Sequence, residues 1–282
     1  MNKNMIVIKS SGETEPFSWQ RIYDSARKAG ATREIAVEVA DQIKSETKEQ
    51  VNTAQIGRRV EQLLKKSDAG SAMRFNLPEA MRRLGPTGFP FENYVGRIFE
   101  SQGFQVKVGC RMKGHCVSHE VDFLAWNNEL VYIGECKYHN RRGIKVDLPT
   151  ALLYAARFDD LERGNFVQNK IKQGSRVKSI MVTNTEFTQE AIKYFNCIGK
   201  TLWGWKYPTH RGIERMIDEE GIYPITILPS FRSSRLVDVF CQNKLMLAKD
   251  VLEADSKKLM ISNRLLTEMQ SEAKILFGIG DN

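Results

Sequence analysis

Apolar residues in the first third of the chain recur at the spacing of helices. Residues 5–9 alternate like a short strand, and the Ser-Ser-Gly-Glu sequence after them is typical of a turn. Three helical patterns follow, and their apolar faces predict helices around Ile22, Val39 and Val60. The pattern favours Thr53 as the N-cap of the third helix. These positions predict a small unit of one strand and three helices.

Glycine and proline punctuate the chain from residue 84, in Leu-Gly-Pro-Thr-Gly-Phe-Pro. Pro90 is expected to open a helix, because proline suits the first turn. Strand patterns follow at 104–111, 117–126 and 130–138. After them helix and strand alternate, with helical patterns at 147–162 and 188–197 and strand patterns at 177–183 and 200–206. Strands and helices in this order predict an α/β sheet with helices packed on it.

The pattern as a whole predicts an α/β (α+β) multidomain protein with three domains. Residues 1–84 form the strand-plus-helices unit, and residues 86–206 form a mixed central sheet flanked by helices. Residues 207–282 read mainly as helices and form a C-terminal domain.

The composition indicates a basic protein whose cysteines are reduced. Lys and Arg number 42 against 34 Asp and Glu, a formal net charge of +8. A basic protein suits a polyanion, and nucleic acid is the commonest one. Five cysteines without regular spacing predict reduced thiols. No apolar run approaches the roughly 20 residues of a membrane span. We therefore expect a cytoplasmic protein without a membrane partner.

Charged residues stand where two predicted strands leave the apolar core. Glu135 and Lys137 lie two residues apart on one strand, so their side chains share a face, and Asp122 lies on the strand before. Asp122 and Glu135 offer hard oxygen ligands for Mg²⁺ or Mn²⁺, and the backbone carbonyl of Cys136 would supply a third. Such a metal suits phosphodiester hydrolysis. Lys137 would orient water or stabilise phosphate charge, and Glu92 would add a carboxylate from the preceding helix.

This constellation resembles the PD-(D/E)XK nuclease superfamily, specifically restriction-endonuclease-like proteins of the Mrr type. In that family a helix Glu precedes a β-hairpin that carries Asp and, further along, Glu-x-Lys. The matching catalytic residues here are Glu92, Asp122, Glu135 and Lys137, and the resemblance covers roughly residues 86–206. It implies a mixed sheet flanked by helices and a metal-dependent endodeoxyribonuclease.

Basic residues near this constellation are candidates for contact with DNA. Arg141, Arg142 and Lys145 follow the predicted catalytic strand and would hold phosphates, although a solvated basic loop explains them equally well. Members of the resembled family often carry a further polar residue on the helix after the Lys strand. Tyr154 and Arg157 are the candidates for it here.

The N-terminal residues resemble a second family. Residues 5–30, with Val-Ile-Lys-Ser-Ser-Gly-Glu-Thr-Glu-Pro-Phe from residue 7, resemble the ATP-cone, a regulatory domain best known in ribonucleotide reductases. Ser10 and Ser11 stand where that family usually has Arg and Asp. The resemblance covers about residues 3–84 and implies ATP or dATP as regulatory ligand. Because cone domains often act through oligomers, a homo-oligomer, dimer or larger, is expected.

The cone resemblance also assigns residues to the nucleotide. It implies that the cations Lys9 and Arg21 meet the phosphates. It implies that Glu15, Ile22 and Thr53 contribute to the contacts with base and sugar.

Together these patterns predict a nucleotide-regulated, Mg²⁺-dependent endodeoxyribonuclease of defence or DNA repair. A non-catalytic DNA-binding nucleotide sensor with the nuclease fold and a junction resolvase remain as alternatives. A transcriptional regulator with a cone would resemble a zinc ribbon followed by a cone. The chain has no paired Cys-x-x-Cys, which argues strongly against a regulator of this class. Cys110, His115, Cys116 and His119 lie close enough in sequence to suggest zinc. A hairpin with packed thiols and hydrogen-bonding histidines is the favoured interpretation.

Overall fold

The computed structural model describes residues 5–9, 12–47, 49–164 and 175–280. Ser10 and Ser11, which depart from the cone pattern, lie outside these ranges. The chain divides into two compact units. Unit 1 comprises Met1–Ala80, Ile227–Phe231 and Val251–Asn282, and unit 2 comprises Met81–Thr226 and Arg232–Asp250. Residues 207–282, predicted as a separate domain, are thus shared between the two units.

Unit 1 holds a three-stranded sheet with helices. Its strands are β1 (Ile6–Ile8), β2 (Thr14–Pro16) and β3 (Gln50–Asn52), in the order β2-β1-β3. Strand β1 is antiparallel to β2 and parallel to β3. Its helices are α1 (Trp19–Lys28), α2 (Arg33–Glu46), α3 (Thr53–Ser67), α4 (Ala69–Phe75), α11 (Ser256–Leu259) and α12 (Asn263–Phe277). A further helix, α5 (Leu77–Arg82), spans the boundary of the units as the chain is divided.

The three predicted helices of unit 1 are present and bury the faces that the sequence indicated. Ile22, Val39 and Val60 are among the buried residues of one core shared by α1, α2 and α3. The third helix begins one residue earlier than expected. Asn52 is its N-cap and forms a capping box with Gln55, so the prediction of Thr53 as N-cap is wrong.

Unit 2 is built around a mixed five-stranded sheet in the order β10-β8-β6-β5-β4. The antiparallel part runs β4-β5-β6, and β6, β8 and β10 are parallel neighbours. The strands are β4 (Gln105–Lys113), β5 (Ser118–Trp126), β6 (Leu130–Lys137), β8 (Arg176–Thr183) and β10 (Thr201–Trp203), with a separate pair of β7 (Lys145–Val146) and β9 (Glu186–Phe187). This confirms the predicted mixed α/β class.

Helices accompany this sheet as the sequence predicts. They are α6 (Phe89–Ser101), α7 (Leu148–Arg163), α8 (Gln189–Cys197), α9 (Ile213–Glu220) and α10 (Ser234–Gln242). Apolar side chains of α7 and α8, such as Phe158 and Phe195, share one core with Ile133 of the sheet. None of the helices in the described part of the chain is long and apolar enough to cross a membrane. All five cysteines are free, as expected.

A glycine fixes the packing of the hairpin that carries the predicted site. Phe123 of β5 pairs with Gly134 of β6. A Cβ atom at position 134 would lie only 2.0 Å from the Phe123 ring, so no larger residue fits without movement. At the other end of the hairpin, the Asn127 side chain accepts hydrogen bonds from the backbone N–H groups of Glu129 and Leu130, both at 2.9 Å. These contacts hold the register of β5 against β6.

Candidate functional site

The register of β5 and β6 brings two predicted carboxylates side by side. Because Phe123 pairs with Gly134, the next antiparallel position sets Asp122 opposite Glu135. Opposed side chains of this kind lie on the same face, with their Cβ atoms about 5 Å apart. The backbone N–H of Cys136 donates to Oδ2 of Asp122 at 2.7 Å, which fixes the Asp122 carboxylate beside β6.

The second carboxylate is buried and bound by an arginine from α7. The Glu135 side chain is only 1% exposed. Nη1 of Arg157 lies 2.9 Å from each of its two oxygens. The guanidinium of Arg157 also lies over the Tyr154 ring, 5.3 Å from the ring centroid. Tyr154 and Arg157, predicted from sequence as DNA contacts, are therefore placed at the carboxylates.

A third carboxylate acts on the first two from α6. Burial, and then the charges of Asp122 and Glu120, together raise the pKa of Glu92 to about 7. The charge of Glu92 in turn contributes to the raised pKa of Glu135. The structure thus brings Glu92 within electrostatic reach of the carboxylate pair, and its predicted catalytic role stays a prediction.

Burial and mutual repulsion raise the pKa values of these carboxyl groups. Burial and then the charge of Asp122 raise the pKa of Glu135 to about 8, although the bond to Arg157 opposes them. Burial also raises the pKa of Asp122, against the lowering effect of the Cys136 N–H. Burial raises the pKa of Tyr154 to about 12. The site therefore favours a bound cation or bound protons over free negative charge.

Lys137 lies at the end of β6, where the strand leaves the core. Its side chain is half-buried, and its charge helps to lower the pKa of Asp122. Its backbone carbonyl accepts a hydrogen bond from Oγ1 of Thr183 on β8 at 2.6 Å. The ammonium group is thus held within electrostatic reach of the carboxylate pair.

His139 is a residue of this region that the sequence patterns did not single out. Its backbone N–H and carbonyl both bond the Asn184 side chain at 2.8 Å. Its Nε2 is buried and has no hydrogen-bond partner in the described part of the chain. Burial lowers its pKa, and the charge of Lys137 lowers it further. Its position two residues after Lys137 is the signal that could have found it.

The basic loop after β6 lies at the surface. Arg141 and Arg142 are exposed, and Lys145 forms an ion pair with Glu186 at 2.9 Å. The three side chains keep the exposure that contact with a polyanion requires, and they stay predicted DNA contacts.

The alternative zinc site does not form. Within the described ranges no three His, Cys, Asp or Glu side chains come together as a metal site. Nε2 of His119 bonds Oδ2 of Asp160 at 2.7 Å, and Cys110 is buried while Cys116 is exposed. The predicted magnesium ligands include only two side chains, Asp122 and Glu135, and stay a prediction.

A second predicted site lies in unit 1. A cavity of about 250 Å³ is lined by four of the five predicted nucleotide residues, namely Glu15, Arg21, Ile22 and Thr53. The fifth, Lys9, reaches Glu15 at 3.4 Å, and Nη1 of Arg21 lies 2.5 Å from Oε1 of Glu15. The hydrogen bond from Arg21 lowers the pKa of Glu15. The structure thus groups the predicted residues around one cavity.

Thr53 has a structural contact besides lining this cavity. Its Oγ1 donates to the carbonyl of Ile8 at 3.2 Å, which ties the start of α3 to β1. Apolar side chains complete the lining, among them Phe17, Ile56 and Phe75. A cavity with an apolar floor and charged groups on its lining suits a ligand with a flat ring and phosphates.

Comparisons with known proteins cover both parts of the chain. Residues 5–77 match the ATP cone domain family. An uncharacterized protein of Archaeoglobus fulgidus is 35% identical over 187 residues, which are 65% of this chain and all of that protein. The crystal structure of the protein of unknown function AF1548 has 32% identity and a TM-score of 0.58. It covers 68% of this chain and 100% of its own.

Proposed function

We propose that this chain, which belongs to the family of the Archaeoglobus fulgidus protein and carries an ATP-cone domain, is a nucleotide-regulated, divalent-metal-dependent endodeoxyribonuclease. The observation that carries the proposal is the placement of Asp122 opposite Glu135, with Lys137 at the end of the same strand. Net charge of +8 supports DNA as the substrate. A homo-oligomer is part of the same proposal.

The donor set of this site fits a hard divalent cation. Asp122 uses one oxygen for the Cys136 N–H and keeps the other for a ligand. Glu135 adds a carboxylate from the neighbouring strand, and the Cys136 carbonyl lies between Glu135 and Lys137 in the chain. Carboxylate and carbonyl oxygens are the ligands that Mg²⁺ and Mn²⁺ prefer. When bound, the cation would lower the pKa of water and offset phosphate charge.

The chain's own side chains supply the rest of the chemistry. Lys137 would orient the attacking water or donate to a phosphate oxygen as negative charge develops there. Glu92, with its pKa raised to about 7, can accept a proton from that water near neutral pH. Arg141, Arg142 and Lys145 would hold neighbouring phosphates at the surface of the site.

Cleavage of supercoiled plasmid in Mg²⁺ or Mn²⁺ tests this proposal. Lys137→Ala should lower the cleavage rate by about a hundredfold or more, because it removes a cation from the developing charge. The matched control is Lys178→Ala, an exposed lysine on β8 that pairs with Tyr132, away from the end of β6. Equal rates for the two variants would contradict the role of Lys137. DNA binding without cleavage in any metal would favour the non-catalytic sensor, and preference for branched DNA would favour a resolvase.

The cone proposal has its own test in unit 1. Arg21→Ala should weaken binding of ATP or dATP by about tenfold, the usual weight of one charge-assisted hydrogen bond. Isothermal titration calorimetry with ATP and with dATP measures the change in affinity. Arg33→Ala, an exposed arginine at the start of α2 that does not line the cavity, is the control and should bind as the wild type does. An unchanged affinity for Arg21→Ala would place the nucleotide elsewhere.

A further inference from the structure

The guanidinium of Arg157 already forms an ion pair with the buried carboxylate of Glu135. Nη1 of Arg157 lies 2.9 Å from both oxygens of Glu135, so one N–H group is shared between them. The positive charge of Arg157 also reaches Asp122, since it lowers the pKa of that carboxyl group. The guanidinium therefore neutralises the same pair of carboxylates that the proposed metal would bind.

The two partners of this ion pair differ in their access to solvent. Glu135 is 1% exposed, whereas the Arg157 side chain keeps 30% of its surface exposed. Other contacts of Arg157 are weaker: the Glu120 carbonyl lies 3.3 Å from Nη1, and the Tyr154 ring lies below the guanidinium. Arg157 can thus turn towards solvent while Tyr154 still supports it, and Glu135 cannot turn away.

A divalent cation and Arg157 compete for the same oxygens. Because the guanidinium contacts both oxygens of Glu135 and charges interact strongly where water is excluded, a divalent cation on either oxygen would repel it. The ion of higher charge, bound by two carboxylates, would displace the guanidinium from Glu135. The planar guanidinium fork matches a phosphate as well as it matches a carboxylate.

We propose that Arg157 is the resident counter-ion of Asp122 and Glu135, and that it passes to a DNA phosphate when a divalent cation binds these carboxylates. This exchange rests on the proposed nuclease function. Metal on the carboxylates frees Arg157 for a phosphate, and a phosphate on Arg157 frees Glu135 for the metal. The binding of metal and the binding of DNA are therefore mutually dependent. Arg157 is then a positioning residue before metal binds and a DNA contact afterwards.

Calorimetric titration with Ca²⁺ or Mn²⁺ and no DNA tests the first half of the exchange. Arg157→Gln removes the competing cation, so it should bind metal about tenfold more tightly than the wild type at alkaline pH. Arg163→Gln, on the last turn of the same helix and exposed, should not change the affinity. Arg157→Lys keeps a cation and should stay close to the wild type. Weaker metal binding by both Arg157 variants would mean a purely structural role and would overturn the proposal.

Binding of a DNA duplex in Ca²⁺ and in EDTA tests the second half. In EDTA Arg157 is held by Glu135, so Arg157→Gln should bind DNA as the wild type does. In Ca²⁺ the same variant should bind about tenfold more weakly than the wild type, because one phosphate contact is lost. An equal loss in both conditions would mean a permanent DNA contact and would overturn the exchange.

The two proposals fail in different ways. Tighter metal binding by Arg157→Gln in a protein that cleaves no DNA would reject the nuclease and keep the exchange. Cleavage by the wild type together with an unchanged metal affinity of Arg157→Gln would reject the exchange and keep the nuclease.

Discussion

Glu135→Gln should lower the rate of DNA cleavage by about a thousandfold and, in the same protein, raise the free energy of unfolding at alkaline pH. The loss follows because an amide cannot replace the carboxylate as a metal ligand. The gain follows because Glu135 is buried beside Asp122, which raises its pKa from 4.5 to about 8. The stabilisation that its proton provides is complete below pH 4.5 and is lost as the pH rises through 8.

Urea unfolding at two pH values measures this gain. Above the pKa of Glu135 the variant should be more stable than the wild type by about 1–3 kcal/mol, because it never carries the buried charge. Below pH 4.5 the two proteins should be equally stable, since Glu135 is then protonated in both the folded and the unfolded state. Glu129→Gln, in the exposed turn before β6, is the control and should change neither property. A variant that is less stable at both pH values would show that the Arg157 ion pair outweighs the buried charge.

Cleavage should depend steeply on pH, and the dependence should move with metal concentration. Glu135, with a pKa of about 8, holds a proton that a divalent cation must displace, and Glu92, with a pKa of about 7, must lose its proton before it can accept one from water. At low metal concentration the rate should therefore rise by about tenfold or more per pH unit below neutrality and level off in the alkaline range. Tenfold more metal should shift the whole profile to lower pH, because metal and protons compete.

The variant Glu92→Gln distinguishes the contribution of Glu92 to the pH profile from that of Glu135. It removes the group with the pKa of about 7 that accepts a proton from water, so the profile should become less steep and the limiting rate at alkaline pH should fall. Rates measured over the pH range at two Mg²⁺ concentrations provide the comparison. A profile that does not move with metal concentration would contradict competition between protons and metal at these carboxylates.

The placement of Asp122 beside Glu135 and Lys137 could be predicted from the sequence because its geometry is local. Strand alternation alone places Glu135 and Lys137 on one face. The short turn at Asn127 brings the preceding strand, with Asp122, into antiparallel register. The fold class followed for the same reason, since the long strands and helices of unit 2 carry clear periodicity.

The partner of Glu135 could not be assigned from the sequence. Arg157 lies 22 positions further along the chain, on a helix whose rotation depends on how it packs. Burial of Ala151, Ala155 and Phe158 against the sheet decides which side of α7 meets the carboxylates. Helical spacing predicted an apolar face there but not which polar residue stands over the site.

Short and distant pairings were also missed. Strands β2 and β3 have three residues each, too few for an alternating pattern. The last helix of the chain packs against α4 in unit 1, a contact for which the sequence pattern has no signal. Bonds such as that from Ser230 Oγ to Glu272 Oε2, at 2.6 Å, join residues 42 apart and leave no signal in the sequence pattern.

The most direct test of the central claim is a comparison of wild type and Asp122→Ala on supercoiled plasmid, with Mg²⁺, Mn²⁺ or EDTA and with or without ATP or dATP. The account predicts that the wild type nicks or linearises the plasmid only with metal, that Asp122→Ala does not, and that nucleotide changes the rate. Equal cleavage by both proteins, or no cleavage under any condition by a protein that binds DNA, would contradict it.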